Sequence, residues 1–306
     1  LDMLGYNSFA ESIDQFKDFD TETVISVVEQ VAKFNEQEMV DSNKKADREG
    51  IVYIKDGKEG PEVKTPDYFK PLYQSVIDSG YIGASNPTEY GGGGAPFAMG
   101  ILNGEIGIAS NMAFYMGPGL SQGAIKAIQK KGNKELKDKY LPKMISGEWM
   151  GTMCLTEPQC GTDLGLIRST ATPEEDYYKL NGQKIWISFG DHDLTENIIH
   201  LVLARLPDAP EGIKGISLFL VPKRLDDNSR NPIFCGGLEH KLGIISSPTC
   251  VMNMDDAKGW MIGEPNKGME AMFLMMNDAR LKVGLQGVAM SEIAYQNALD
   301  FAKNRR

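Results

Sequence analysis

The chain has 306 residues, is 42% hydrophobic and 24% charged, and carries a formal net charge of -10. That composition fits globular domains and gives length enough for one large domain or two to three smaller ones. It excludes nucleic acid as a main partner, because phosphate backbones require clustered Lys and Arg, while a small phosphorylated ligand needs only a few cations or a helix N-terminus.

In chain order, the first half reads as helical. Val24, Val27, Val28, Val31 and Phe34 recur at helical spacing, with Asp20 or Thr21 placed to cap the start. From about Asp41 to Lys64 the chain is polar and contains glycine, which predicts a long loop or excursion. Thr65-Pro66 opens a further helix carrying Phe69, Leu72, Tyr73 and Val76; Pro71 moves its start later and Ser79-Gly80 suits its end. Gly91 to Gly94 predict a flexible loop; no GK[ST] follows, so a phosphate cradle is disfavoured. Lys126, Lys130, Lys131, Lys134, Lys137 and Lys139 read as a solvated helical surface. Leu136, Tyr140 and Met144 mark another helix before Gly147, with Pro142 able to kink it.

At about Met150 the period changes. Tyr177 to Leu180, Asn181-Gly182, then Gln183 to Ile187 predicts a β-hairpin with a two-residue turn. Ile198 to Leu206, Ile216 to Val221 and Thr249 to Met254 predict further strands. Beyond Gly259-Trp260 helical spacing returns, with Met269, Met272, Phe273 and Met276 on one face as core or interface. The expected division is residues 1–149 helical, 150–264 a β domain and 265–306 the first part of a C-terminal helical domain. That pattern runs to Arg306 without a stop signal, and the chain starts at Leu1, so cropping at the front and a missing C-terminal remainder are both expected.

No run of about 18 apolar residues occurs, so no transmembrane helix is expected. The first residues lack the basic and apolar regions of a signal peptide. Cys154, Cys160, Cys235 and Cys250 form no CxxC pair and have no zinc spacing with His192, His200 and His240. Buried thiols in a reduced, cytoplasmic setting and no metal are expected. His192 and Asp193 lack the GxSxG elbow of a hydrolase.

Two stretches carry chemistry. Met153 to Asp163 is an apolar strand that stops at Pro158 and turns through Gly161, Thr162 and Asp163. A flat apolar ring with one polar edge needs apolar backing, backbone donors and hydroxyls. Leu155 and Thr156 offer N–H groups and a hydroxyl, Gly161 permits close backbone approach, and Thr162 suits a phosphate-bearing ligand. In Trp186-Ile187-Ser188, residues two apart share a strand face, so an aromatic plane lies beside a hydroxyl. From spacing alone, a strand ending in a turn and a core tryptophan beside a surface serine are the favoured readings.

Together these residues resemble the acyl-CoA dehydrogenase family. Cys154-Leu155-Thr156-Glu157-Pro158-Gln159-Cys160-Gly161-Thr162-Asp163 matches its C-x-TEP-x-x-G-[ST]-D segment, and Asn181 to Ser188 match N-G-x-K-x-[WF]-I-[ST]. Glu89-Tyr90-Gly91-Gly92 and Gly263 to Gly268 extend the likeness across roughly Gly80 to Arg306. Asp191 to His200, Lys241-Leu242-Gly243 and Ser247-Pro248-Thr249-Cys250 resemble the larger branch that includes 3-methylmercaptopropionyl-CoA dehydrogenase.

The resemblance implies an α+β fold: an N-terminal helical domain, a middle β-barrel-like domain and the start of a C-terminal helical bundle. It implies FAD, with Met153, Leu155, Thr156, Gly161, Thr162, Trp186, Ile187 and Ser188 at the cofactor. Thr162, Asn277 and Arg280 would contact the acyl-CoA. Thr162 and Ser188 exchange the hydroxyls common in the family, Asn277 replaces a common Asp, and Arg280 has an equal structural alternative in pairing with a carboxylate.

The implied reaction removes the α-proton of a thioester and passes the β-hydrogen to flavin as hydride, with an electron-transfer flavoprotein as acceptor and a homodimer or homotetramer as assembly. Some members place the base just before the matched arginine, where this chain has Ala279. The base is therefore expected beyond Arg306, residues 1–306 alone are expected to be inactive, and Glu157 before Pro158 is expected to be structural. An oxygen-using acyl-CoA oxidase and a non-catalytic acyl-CoA-binding or assembly module are the alternatives.

Overall fold

The computed structural model describes residues 5–305. The chain begins with α1 (Tyr6–Glu11) and α2 (Thr21–Phe34). Asp20 caps α2 by accepting from the Thr23 N–H, which satisfies one of the orphan donors at a helix start. A π-turn at Asn35–Met39 carries α2 into α3 (Val40–Glu49). The hairpin β1 (Val52–Gly57) and β2 (Gly60–Lys64) follows. The expected loop from Asp41 to Lys64 is therefore incorrect. Ser42 and Ala46 give α3 a narrow buried stripe, too short of apolar side chains to show in the sequence.

Next come α4 (Phe69–Asp78), the long α5 (Phe97–Lys131) and α6 (Lys134–Ser146). α5 bends at Asn111, whose backbone leaves the helical region and whose Oδ1 accepts from the Phe114 N–H. The glycine run before α5 is tightly laced rather than flexible. The N–H groups of Gly92, Gly93 and Gly94 reach Pro87, Gly83 and Asn86 carbonyls. A Cβ on Gly92 would stand 2.3 Å from the Asn86 oxygen, so these glycines serve close approach.

Seven strands then form one sheet: β3 (Trp149–Cys154), β4 (Thr170–Pro173), β5 (Tyr178–Ser188), β6 (Asn197–Arg205), β7 (Ile216–Pro222), β8 (Ile233–Leu238) and β9 (Thr249–Ile262). The pairings β6–β4–β5–β9–β7–β6 return to their origin, with β3 added on β6 and β8 on β9. The closure is barrel-like, although β4 meets β6 only at Thr170–Arg205. β6 explains its own unbroken apolar sequence: Ile199, Leu201 and Leu203 face the helices, while Val202 and Ala204 face the barrel interior. A strand covered on both faces loses the alternation that marks a half-buried one.

The expected hairpin at Asn181-Gly182 is also incorrect. Tyr178 to Ser188 is one strand antiparallel to β9 throughout. The irregularity lies across from it: between Ala257 and Met254 β9 holds one residue more than β5 does between Leu180 and Gly182, with Asp256 at φ 55°. The Asn181 side chain clasps this bulge, donating to Asp256 Oδ1 and accepting its N–H. Asn-Gly thus accommodates a bulge where the local signal favours a turn. Last, α7 (Gly268–Asn304) packs along α5 and buries Met272 and Met275.

Candidate functional site

β3 delivers Leu155 and Thr156 to the edge of the sheet, and β5 passes beside them. The Ile185 N–H donates to the Thr156 carbonyl at 2.9 Å, which brings the two sequence motifs together. Beneath this contact lies a buried ion pair, Lys184 Nζ to Glu157 Oε1 at 2.7 Å, with exposures of 0% and 3%. Lys184 also donates to the Leu155 carbonyl. Glu157 accepts the N–H groups of Arg168 and Ser169 and the Gln159 amide. A buried charge survives only when most of its hydrogen-bonding capacity is filled; Glu157 meets that condition through four donors, and Lys184 finds acceptors in Glu157 and the Leu155 carbonyl. Burial pushes the Glu157 carboxyl up, but the Lys184 charge and the hydrogen bonds outweigh it and hold the group at about 2. Glu157 therefore has the structural place its position before Pro158 foretells.

Above the ion pair, β5 bulges. Between Lys184 and Ile187 it holds one residue more than β9 opposite, and Trp186 has φ 59°. A left-handed backbone costs a bulky residue about 1 kcal/mol or more. The bulge turns Trp186 outward with 59% exposure, while Ile187 sinks into the core at 3%. The core-tryptophan reading is thereby excluded. Trp186 and Ser188 share the outer side, but through the bulge and not through simple alternation.

Met153, Thr156 and Ser188 are half-buried, and Gly161 and Thr162 are exposed in the turn. The Leu155 and Ile187 side chains belong to the core, so those two residues can offer the face only their main chain. The face thus combines an open indole, a thioether, hydroxyls and an accessible glycine backbone, a set suited to a flat ring with a polar edge.

Behind the sheet, α5 is a shared wall. Gly117 lies against Phe189 and Met150, and the Ser121 hydroxyl accepts the Gly151 N–H. Pro118, Gly119 and Gln122 of the same stretch line a cavity of about 190 Å³ between α5 and α7. Ala279, Lys282, Val283 and Gln286 supply its α7 side. Asn277 and Arg280 do not line it. They are exposed and bonded to each other, with the Arg280 guanidinium over the Phe273 ring.

In place of the carboxylate that a structural role for Arg280 would use, it meets an amide and a ring. Of the two residues between Asn277 and Arg280, Asp278 is the buried one. It pairs with Lys282 at 2.6 Å and with Lys126. Lys126 reaches Asp278 while staying partly exposed, and Lys131 and Lys139 pair with Glu270 and Asp226 at the predicted solvated surface. Sequence reasoning missed Asp278, Lys282 and Lys184; charged residues inside otherwise apolar patterns were the available signal.

A second buried polar group lies under β3 and β6, where His200 Nδ1 meets the Thr152 hydroxyl at 2.7 Å. Burial, aided by the Arg230 and Lys223 charges, lowers the His200 imidazole to about 3 and keeps it neutral. All four cysteines are buried and unpaired. Among the described residues no helix is long and apolar enough to cross a membrane.

Residues 21–148 match the family description acyl-CoA dehydrogenase, N-terminal domain, and residues 152–257 match acyl-CoA dehydrogenase, middle domain. The chain belongs to the acyl-CoA dehydrogenase family. It is 43% identical over 301 residues to 3-methylmercaptopropionyl-CoA dehydrogenase of Ruegeria pomeroyi, covering 96% of this chain and 50% of that protein. Similarity to a butyryl-CoA dehydrogenase of Syntrophomonas wolfei is 38%, covering 86% and 45%. The chain spans about half the length of the curated relatives it matches. Among solved structures, an acyl-CoA dehydrogenase from Geobacillus kaustophilus superposes with a TM-score of 0.78 at 25% identity, covering 94% of this chain and 70% of that one. The helical, sheet and helical order expected from sequence is that of the family.

Proposed function

We propose that this protein takes part in FAD-dependent α,β-dehydrogenation of an acyl-CoA thioester, with residues 150–264 holding the flavin and the acyl tail entering the cavity between α5 and α7. The observation that carries the reading is the hydrogen bond from Ile185 to Thr156, which merges both motifs into one face with an outward tryptophan. The relatives' names point to acyl-CoA chemistry, and a solved neighbour from Bacillus anthracis, an acyl-CoA dehydrogenase at 24% identity, is described as complexed with FAD.

FAD, when bound, supplies the hydride acceptor. In this reading Trp186 and Met153 bracket the ring, the Leu155 and Thr156 main chain and the Thr156 and Ser188 hydroxyls meet its polar edge, and Gly161 with Thr162 faces the phosphates. Ile187 contributes backbone only. Thr162 is retained as a thioester contact; Asn277 and Arg280, outside the cavity, fit the exposed CoA portion better than the acyl chain. Among the described residues, the cavity wall includes no carboxylate, so we assign α-proton abstraction to none of them. An electron-transfer flavoprotein as acceptor and a homo-oligomeric assembly complete the proposal.

The test is anaerobic addition of acyl-CoA to the full-length protein loaded with FAD. Bleaching of the flavin's visible band with formation of the enoyl-CoA is expected. Hydrogen peroxide at the rate of turnover in air would assign the protein to the oxidases instead. Tight acyl-CoA binding without flavin binding would leave a binding or assembly module.

A further inference from the structure

The charged side chains in the wall of the α5–α7 cavity are of one sign. Among the described residues Lys126 and Lys282 line it, and no carboxylate does. Their shared partner, Asp278, has 2% of its side chain exposed, whereas Lys126 and Lys282 keep 37% and 22%. Both ammonium groups sit against other cavity residues. Lys282 Nζ donates to the Gly119 carbonyl at 3.2 Å, and Lys126 Nζ stands 4.0 Å from the centre of the Phe97 ring. Two cations against one anion leave one positive charge in excess. An ammonium has three donors. At most two on Lys282 are turned to Asp278 and Gly119, and one on Lys126 to Asp278, so both retain a donor for a further acceptor. Burial pulls the Lys282 ammonium below the ordinary lysine value, and the Asp278 carboxylate offsets only part of that. The neighbouring wall, with Ile101, Val283 and Leu285, supplies no counter-charge.

We propose that Lys126 and Lys282 are specificity-determining residues for the acyl tail, and that the preferred substrate carries a carboxylate on that tail. Asp278 already spans the two lysines, Oδ1 to Lys126 and Oδ2 to Lys282, so their spacing suits one carboxylate. A second carboxylate, arriving from the cavity, balances the excess charge and accepts charge-assisted hydrogen bonds from the same pair. A methyl group in its place strips water from the cations and returns nothing. Sites built around such a bond discriminate strongly against analogues lacking it, whereas purely apolar pockets discriminate weakly. The inference rests on the dehydrogenase reading, since it is the tail of that thioester that fills the cavity. It adds a class of substrate which the family assignment does not supply.

The experiment compares matched pairs of thioesters on the full-length FAD-loaded protein. Each pair has equal chain length and ends in methyl or in carboxylate, over short and medium lengths. At the length that reaches the lysines, kcat/KM for the carboxylate member is expected to exceed its partner by about tenfold or more, equivalent to about 1.4 kcal/mol or more. Lys126→Met and Lys282→Met should each lower that ratio toward one, and Lys126→Arg, which keeps the charge, should preserve it. Reading a ratio within one variant cancels any general loss of activity. Melting temperature and flavin content identify a variant that fails to fold; if Lys282→Met does so, the more open Lys126 decides.

Preference for the methyl member at every length overturns the proposal and leaves the dehydrogenase reading intact. So does a carboxylate preference unchanged in the folded lysine-to-methionine variants. An unchanged ratio together with weaker binding of free coenzyme A to those variants overturns it in favour of the phosphates of the CoA portion. Absence of flavin bleaching by any thioester removes the dehydrogenase reading itself, and the tail assignment with it.

Discussion

Two buried charge clusters, one under the sheet face and one beside the helix cavity, are built by opposite rules. Glu157 and Lys184 match one anion to one cation, and the surrounding main chain takes up most of what remains. Asp278 faces two cations, Lys126 and Lys282, both partly open. The first cluster is closed and fixes a turn. The second sets two partly hydrated cations against one buried anion. Burial alone does not separate the two clusters; the balance of charge and the hydration of the cations do.

Removing one member of the closed pair should have the largest effect. Lys184→Met leaves Glu157 charged, buried and unpaired, which costs about 3–5 kcal/mol. Urea unfolding of the variant should show that loss, and the double variant with Glu157→Leu should recover part of it. Equal stability of Lys184→Met and wild type would dissolve the contrast between the clusters.

Acid should act on the same pair. Glu157 is held below its unfolded value of about 4.3, so its contribution is complete above that pH and is lost as pH falls toward 2. The amount at stake is about 3 kcal/mol. His200, lowered to about 3 by burial, withdraws stability earlier, as pH falls below about 6.5 and the unfolded chain takes up the proton. Unfolding free energy measured against pH should therefore decline in two overlapping stages, and Glu157→Gln should flatten the lower one only.

Asp278→Asn comes next. It removes the anion between two lysines that stay partly hydrated, so the cost should be smaller, about 1–3 kcal/mol. A loss matching that of Lys184→Met would show that the cavity cluster is as closed as the other.

The sequence disclosed these regions unequally, for physical reasons. α2, α4 and α6 each bury one regular stripe, and Asp20 and Asn133 cap α2 and α6 through their side chains, so they were legible. α3 buries Ser42 and Ala46, whose small size leaves no hydrophobic period to detect. Asn181-Gly182 carries a strong turn preference, but pairing with β9 along the whole of β5 outweighs it. The candidate site was legible as two motifs; that they touch through Ile185 and Thr156 required the fold. Asp278 stayed hidden because its meaning lies in a partner about 150 residues away.

Trp186 carries the smallest expected effect on stability and the sharpest test of the contrast. It stands two residues from Lys184 on one strand, yet more than half of it is open and the bulge holds it away from the core. Trp186→Ala keeps a side chain that is still disfavoured at positive φ, so no backbone strain is relieved to mask the result. Unfolding free energy should change by no more than about 0.5 kcal/mol. Flavin affinity should nevertheless fall roughly threefold to tenfold, the worth of one aromatic stacking contact at about 0.5–1.5 kcal/mol. A fluorescence titration of the apoprotein with FAD, run beside the urea curve, reads both quantities. If stability drops and affinity does not, Trp186 belongs with Lys184 in the scaffold, and the outward face loses its main claim to the ring.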